Sequence, residues 1–125
     1  MAPVGLLLCD DLMFTSRITG TAQALGLTLN PVKSQEQLEA LATQQAPSCV
    51  VIDLANPGLI IQDLVQKLRP QGQGAYLVAF GSHVDVATLN AARQAGCDLV
   101  LPRSKFIEEL PTALPRWLIQ SQHRS

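Results

Sequence analysis

The chain has 125 residues, of which 47% are hydrophobic and 15% charged; this is one domain's worth of sequence with enough apolar content for a real core, and it excludes a disordered segment. A formal net charge of -1 gives no global field for nucleic acid or an anionic membrane, and Arg116, His123 and Arg124 are too few to form a basic patch. No apolar stretch approaches the roughly 20 residues of a membrane span, and the first apolar run lacks a basic flank and meets two acids at once, so it reads as a buried strand and not as a secretory leader.

Short apolar runs alternate with helical patterns along the whole chain. The first strand is predicted over 4–9, a continuous apolar run that ends at Cys9. A helix follows over 12–25, with Phe14, Ile18, Ala22 and Leu25 on one stripe and Gly26 as its stop. The segment 27–31 alternates in polarity and reads as an edge strand. Ser34 with Gln37 three residues on predicts a capping box, opening a helix that buries Leu38, Leu41 and Ala42. The third strand, 49–53, is apolar up to Asp53. A helix over 59–69 turns Ile61, Leu64, Val65 and Leu68 inward and ends before Pro70.

A fourth strand is predicted over 75–80, a fourth helix over 85–95 that stops at Gly96, and a fifth strand over 98–101. After Ser104, Leu110, Ala113, Leu114, Trp117 and Leu118 recur at helical spacing. Pro111 and Pro115 interrupt that stripe and predict a kinked or split helix; Trp117 is expected in the core. Five βα units with crossovers of this length imply a parallel α/β sheet with helices on both faces, a single domain over 1–125. Cys9, Cys49 and Cys97 are odd in number and widely spaced, which makes neither a disulfide framework nor a zinc site; they read as small buried hydrophobes, with Cys97 the more exposed.

The chemistry-bearing residues are acids. Asp10 and Asp11 follow the first strand and Asp53 closes the third. Adjacent parallel strands would bring all three to the carboxyl edge of the sheet, where open α/β sheets bind ligands. Three clustered carboxylates are unfavourable unless one is protonated or a cation joins them, and a hard, oxygen-seeking ion such as Mg²⁺ is the simplest guest. Each motif alone has a plainer reading: an Asp-Asp pair before a helix is often an N-cap, and an aspartate ending a strand often caps a loop.

Together, these segments resemble the receiver domains of bacterial two-component response regulators. The matching stretches are Leu8-Cys9-Asp10-Asp11-Leu12-Met13-Phe14, Val51-Ile52-Asp53-Leu54-Ala55-Asn56-Pro57-Gly58 and Ala91-Ala92-Arg93-Gln94-Ala95-Gly96-Cys97-Asp98. The resemblance implies a flavodoxin-like, doubly wound (βα)5 fold with five parallel strands in the order 2-1-3-4-5. It implies that Asp53 accepts a phosphoryl group from a partner histidine kinase or phosphotransfer protein. Asp10, Asp11, Asp53 and the backbone carbonyl of Ala55 would hold Mg²⁺, which offsets the charge of the transferring group.

The family's Thr or Ser after strand four falls on Gly81, or on Ser82 with a shift of one. Its Lys, followed by Pro, falls on Arg103, with Lys105 as the fallback cation; here Pro102 precedes both. Phe106 resembles an aromatic that often follows in the family, and core packing accounts for it equally well. His83 reads as solvent-facing and His123 as part of the tail.

The expected function is a stand-alone cytoplasmic receiver. It would be no enzyme beyond its own phosphoryl chemistry, and would act on a downstream protein target or a second copy of itself, without nucleic acid or membrane. The alternative is a phosphorylation-independent pseudo-receiver that serves as a protein-interaction module. The intact acids favour the first, and Gly81 with the displaced cation favours the second. A flavin or nucleotide binder would need a Gly/Ser/Thr-rich phosphate loop where Asp10-Asp11-Leu12 stands.

Overall fold

The computed structural model describes residues 2–72 and 74–120. The elements are β1 (Val4–Leu8), α1 (Leu12–Ala24), β2 (Thr28–Val32), α2 (Gln35–Gln45), β3 (Cys49–Asp53), α3 (Ile61–Leu68), β4 (Tyr76–Gly81), α4 (Val86–Ala95), β5 (Leu99–Pro102) and α5 (Arg103–Gln120), with a 3₁₀ turn at Pro70–Gly72 after α3. All strand pairs are parallel and their order is β2-β1-β3-β4-β5, the expected doubly wound sheet.

The period-two alternation of the strands divides the core into two layers. Leu7, Val51, Val78 and Phe80 face α1 and α5, where they meet Ile18, Phe106, Leu114 and Trp117. Leu6, Leu8, Val50, Ile52 and Leu77 face α2, α3 and α4, where they meet Leu38, Leu64 and Leu89. β3, central and covered on both faces, is buried along its whole length. β2 is an edge strand, as its alternation predicts, and tolerates Pro31 for that reason. A Cβ on Gly5 would lie 2.8 Å from Leu29 Cδ1 and 2.9 Å from Leu118 Cδ2, so glycine lets α5 settle onto β1.

The helix ends follow their local chemistry. Ser34 accepts from the Gln37 N–H at 3.2 Å, while Gln37 Oε1 reaches back to the Lys33 N–H at 3.1 Å. Gly96 takes φ 108° to close α4, a left-handed conformation in which a side chain would be strained.

Two expectations need correction. α5 is one continuous helix through Pro111 and Pro115, not a split one. Both prolines lie on its exposed face, where water can serve the carbonyls that lose a partner, while Leu110, Ala113, Leu114, Trp117 and Leu118 anchor the opposite face. Leu25 is exposed at the C-cap of α1 and does not continue the buried stripe of Ile18 and Ala22. Trp117 and Phe106 are buried, as expected of core residues. His123 and Arg124 lie outside the described residues.

Away from the carboxyl edge, Arg69 is the one buried charged residue among those described. Arg69, just past α3, pairs with Asp98 at 2.8 Å and also donates to the Gly96 carbonyl. The same Asp98 oxygen accepts the Leu77 N–H at 2.8 Å. The pair ties the end of α3 to the start of β5.

Candidate functional site at the carboxyl edge of the sheet

Asp53 is the last residue of β3, lies opposite Phe80 of β4, and is only 5% exposed. A carboxylate this deep needs partners. Its Oδ1 accepts the Ala55 N–H at 2.9 Å, and the Cys9 thiol donates to its Oδ2 at 3.5 Å. The loop beyond is shaped by backbone bonds, Leu54 N–H to Phe80 O at 2.9 Å and Asn56 N–H to Asp53 O at 3.0 Å. Buried Asn56 locks this loop to its neighbour by donating to the Lys33 and Pro57 carbonyls at 3.2 and 3.3 Å. Gln35 of α2 does the same from its side, accepting the Ile60 N–H at 2.9 Å.

Asp10 and Asp11 stand in the connection from β1 to α1, and both are exposed. Asp11 is the N-cap of α1: its backbone is extended and its Oδ1 accepts the Phe14 N–H at 2.9 Å. The plainer reading of the acidic pair thus describes Asp11. Among the described residues, no group of three or more His, Cys, Asp or Glu side chains is arranged to hold a metal ion. The expected gathering of Asp10, Asp11 and Asp53 into one cation pocket is therefore not found. Asp11 is turned to its helix, and the two Asp53 oxygens each accept one hydrogen bond, from Ala55 and from Cys9, which leaves a lone pair on both. What the arrangement lacks for Mg²⁺, which demands near-ideal octahedral oxygen coordination, is a set of further acids gathered beside Asp53 among the described residues. The Ala55 N–H donates to Asp53.

The positive charge at Asp53 comes from Arg103. As the first residue of α5 it follows Pro102, the last of β5, and its Nη2 lies 3.9 Å from Asp53 Oδ1. That is a Coulombic contact longer than a hydrogen bond. The guanidinium rests against Phe14, with Cζ 5.6 Å from the ring centroid, a cation–π distance. Lys105 is turned toward its own helix, 3.9 Å from Glu108 and 3.6 Å from Glu109. Of the two cations considered from the sequence, Arg103 is the one at Asp53.

On the opposite side, Gly81 ends β4 and is buried. A Cβ there would touch Leu54 Cδ1 and Leu89 Cδ2, each at 3.4 Å, so aliphatic side chains wall the position where the family resemblance implied a hydroxyl. Ser82 belongs to the next turn, its Oγ accepting the Val84 N–H at 3.4 Å. His83 is exposed, and Asp85, not His83, caps α4 by accepting the Thr88 N–H at 3.2 Å.

Two contributors escaped the sequence reading, Cys9 and Phe14. Cys9 reads as packing from its sequence neighbours alone, yet its thiol lies beside Asp53 at the end of β3; strand adjacency is the available signal. Burial raises its thiol pKa, Thr15 and the Asp11 backbone lower it less, and the Asp53 charge raises it further. The thiol is thus held as a hydrogen-bond donor. Cys49 is likewise pushed up by burial. Cys97, partly exposed, is raised to about 11 by burial, with Arg69 lowering and Asp98 raising it. Its thiolate, and hence its reactivity, should grow about tenfold per pH unit up to that value. A maleimide time course on the native protein between pH 7 and pH 9 should show one slow site with that slope; fast labelling at pH 7 would contradict it.

No family model and no curated protein matches the sequence. Solved structures do. The receiver domain of a LuxO repressor protein from Vibrio parahaemolyticus superposes with a TM-score of 0.82 at 15% identity, over 98% of this chain and 94% of that one. The chemotaxis response regulator CheY4 of Vibrio cholerae gives 0.79 at 17% identity, over 94% of this chain and 100% of that one. The receiver domain of a sensor histidine kinase from Pseudomonas aeruginosa, which has a magnesium ion coordinated in its active-site cleft, gives 0.79 at 22% identity, over 94% and 98%. At these identities the likeness is one of fold. The chain has the receiver-domain fold that its motifs resemble.

Proposed function

We propose that the chain is a receiver-fold signalling module that works by protein–protein contact, without catalysis and without depending on phosphorylation of Asp53. One observation carries this reading: the counter-charge at Asp53 is the Arg103 guanidinium, 3.9 Å away, with no metal-holding group of three acids, His or Cys found among the described residues. Phosphoryl transfer to a carboxylate brings charge that must be offset as it develops. Here Asp11 caps a helix, and no hydroxyl side chain stands at Gly81. Such a module would act in the cytoplasm on a protein target or a second copy of itself.

The second reading is a stand-alone receiver in which Asp53 takes a phosphoryl group from a partner histidine kinase with Mg²⁺. The position of Asp53 at the carboxyl end of the central strand supports it, as does the fold it shares with a magnesium-holding receiver domain. Acetyl phosphate with Mg²⁺ separates the two. Intact-mass spectrometry should show no added phosphoryl group. A phosphoryl mass that disappears in Asp53→Asn would establish the second reading and remove the first.

A further inference from the structure

The Asp53 carboxylate keeps lone pairs that a cation could use, and the chain puts the Arg103 guanidinium beside it. We infer that Arg103 is the resident counter-cation of Asp53 and that its guanidinium, laid against the Phe14 ring, closes the site to divalent metals. The inference rests on the proposed function, because it gives the reason why a retained aspartate takes no metal-dependent phosphoryl group.

The argument is one of geometry and charge. Mg²⁺ binds carboxylate oxygens at about 2.0–2.1 Å. An ion at Asp53 Oδ1 would therefore meet the Arg103 charge, which already lies 3.9 Å from the same oxygen. To make room the guanidinium would swing away, and two contacts oppose that motion, the Asp53 charge and the Phe14 ring.

The ring is itself held. Phe14 packs against Phe80 at 5.2 Å, and Phe80 stacks on Phe106 at 4.4 Å. The Arg103 side chain is 41% exposed, so it has room to leave once its charge or its platform is removed. Arg103 is accordingly a positioning residue acting on the state of Asp53, and α5 begins with it.

The test is thermal unfolding of the full chain with and without MgCl₂ at about 10 mM, at matched ionic strength. The wild type should shift by less than about 1 °C. Arg103→Ala should gain a Mg²⁺-dependent rise of about 3–6 °C, the size expected for millimolar binding to a domain of this length. Asp53→Asn in that background should abolish the rise, and Arg103→Lys, which keeps the charge, should stay as unresponsive as the wild type. If Arg103→Ala does not fold, Arg103→Gln carries the same expectation.

A silent Arg103→Ala, a response that survives Asp53→Asn, or a response in Arg103→Lys equal to that in Arg103→Ala would each overturn the inference. With a wild type that takes no phosphoryl group, those failures leave the proposed function standing. A wild type that is phosphorylated by acetyl phosphate and Mg²⁺ overturns both.

Discussion

Asp98→Ala should lower the unfolding free energy by about 3 kcal/mol or more, the cost of leaving a buried charge without its partner. The Arg69 side chain is 7% exposed and that of Asp98 16%, so water screens the 2.8 Å pair poorly. Removing the carboxylate leaves the guanidinium with the Gly96 carbonyl, and leaves the Leu77 N–H without the oxygen it reaches at 2.8 Å. Among the described residues Arg69 Nε has no hydrogen-bond partner, so the cluster has no slack to absorb the loss. A loss of about 3 kcal/mol corresponds to a fall of roughly 10 °C in Tm for a domain of this size. Urea denaturation measures it directly. The double replacement Arg69→Met with Asp98→Leu should recover a large part of the loss, since a well-packed apolar pair often matches a buried ion pair. A single-variant loss below about 1 kcal/mol would mean that the pair behaves as a solvated surface bridge.

Phe80→Ala should cost about 3–5 kcal/mol, the range for deleting a fully buried aromatic. Phe80 is fully buried near the carboxyl end of β4, tilted against Phe14 and stacked on Phe106. Its loss would leave a cavity beside Phe14 of α1 and Phe106 of α5, where close-packed surroundings collapse only in part. Phe80→Leu keeps most of the volume and should cost less, about 1–2 kcal/mol. Equilibrium denaturation in guanidinium ranks the two. Equal destabilisation by both would mean that ring stacking, and not filled volume, sets the cost at this position.

The architecture was largely legible because its signals are local or periodic. Apolar runs ending at Cys9 and Asp53 mark central strands, and Gly96 and the Ser34–Gln37 pair mark helix ends from their own backbone chemistry. Pro111 and Pro115 misled because proline's penalty depends on which face it occupies, and periodicity measures only the buried one. Leu25 misled because a helix cap turns the chain away from the stripe.

The site was legible in its residue types and less so in its bonds. The edge that carries Asp10, Asp11 and Asp53 follows from topology alone. Whether each carboxylate looks toward a shared ion or toward its own backbone turns on single hydrogen bonds, such as Phe14 N–H to Asp11 and Ala55 N–H to Asp53. Sequence spacing does not resolve contacts at that scale. The contact of Arg103 with Asp53 was within reach as one of two cations, but its platform, Phe14, lies far away in the chain and comes close only through the packing of α1 beside α5.

The lone indole of the chain sits at the far end of the aromatic row, its rings 5.8 Å from those of Phe106. Because Trp117 is shielded from water, its fluorescence is a built-in optical gauge of whether the last helix is seated on the sheet. Any peeling of that helix hydrates the chromophore and moves its emission to longer wavelength, so the docked and detached populations can be followed in an unlabelled sample.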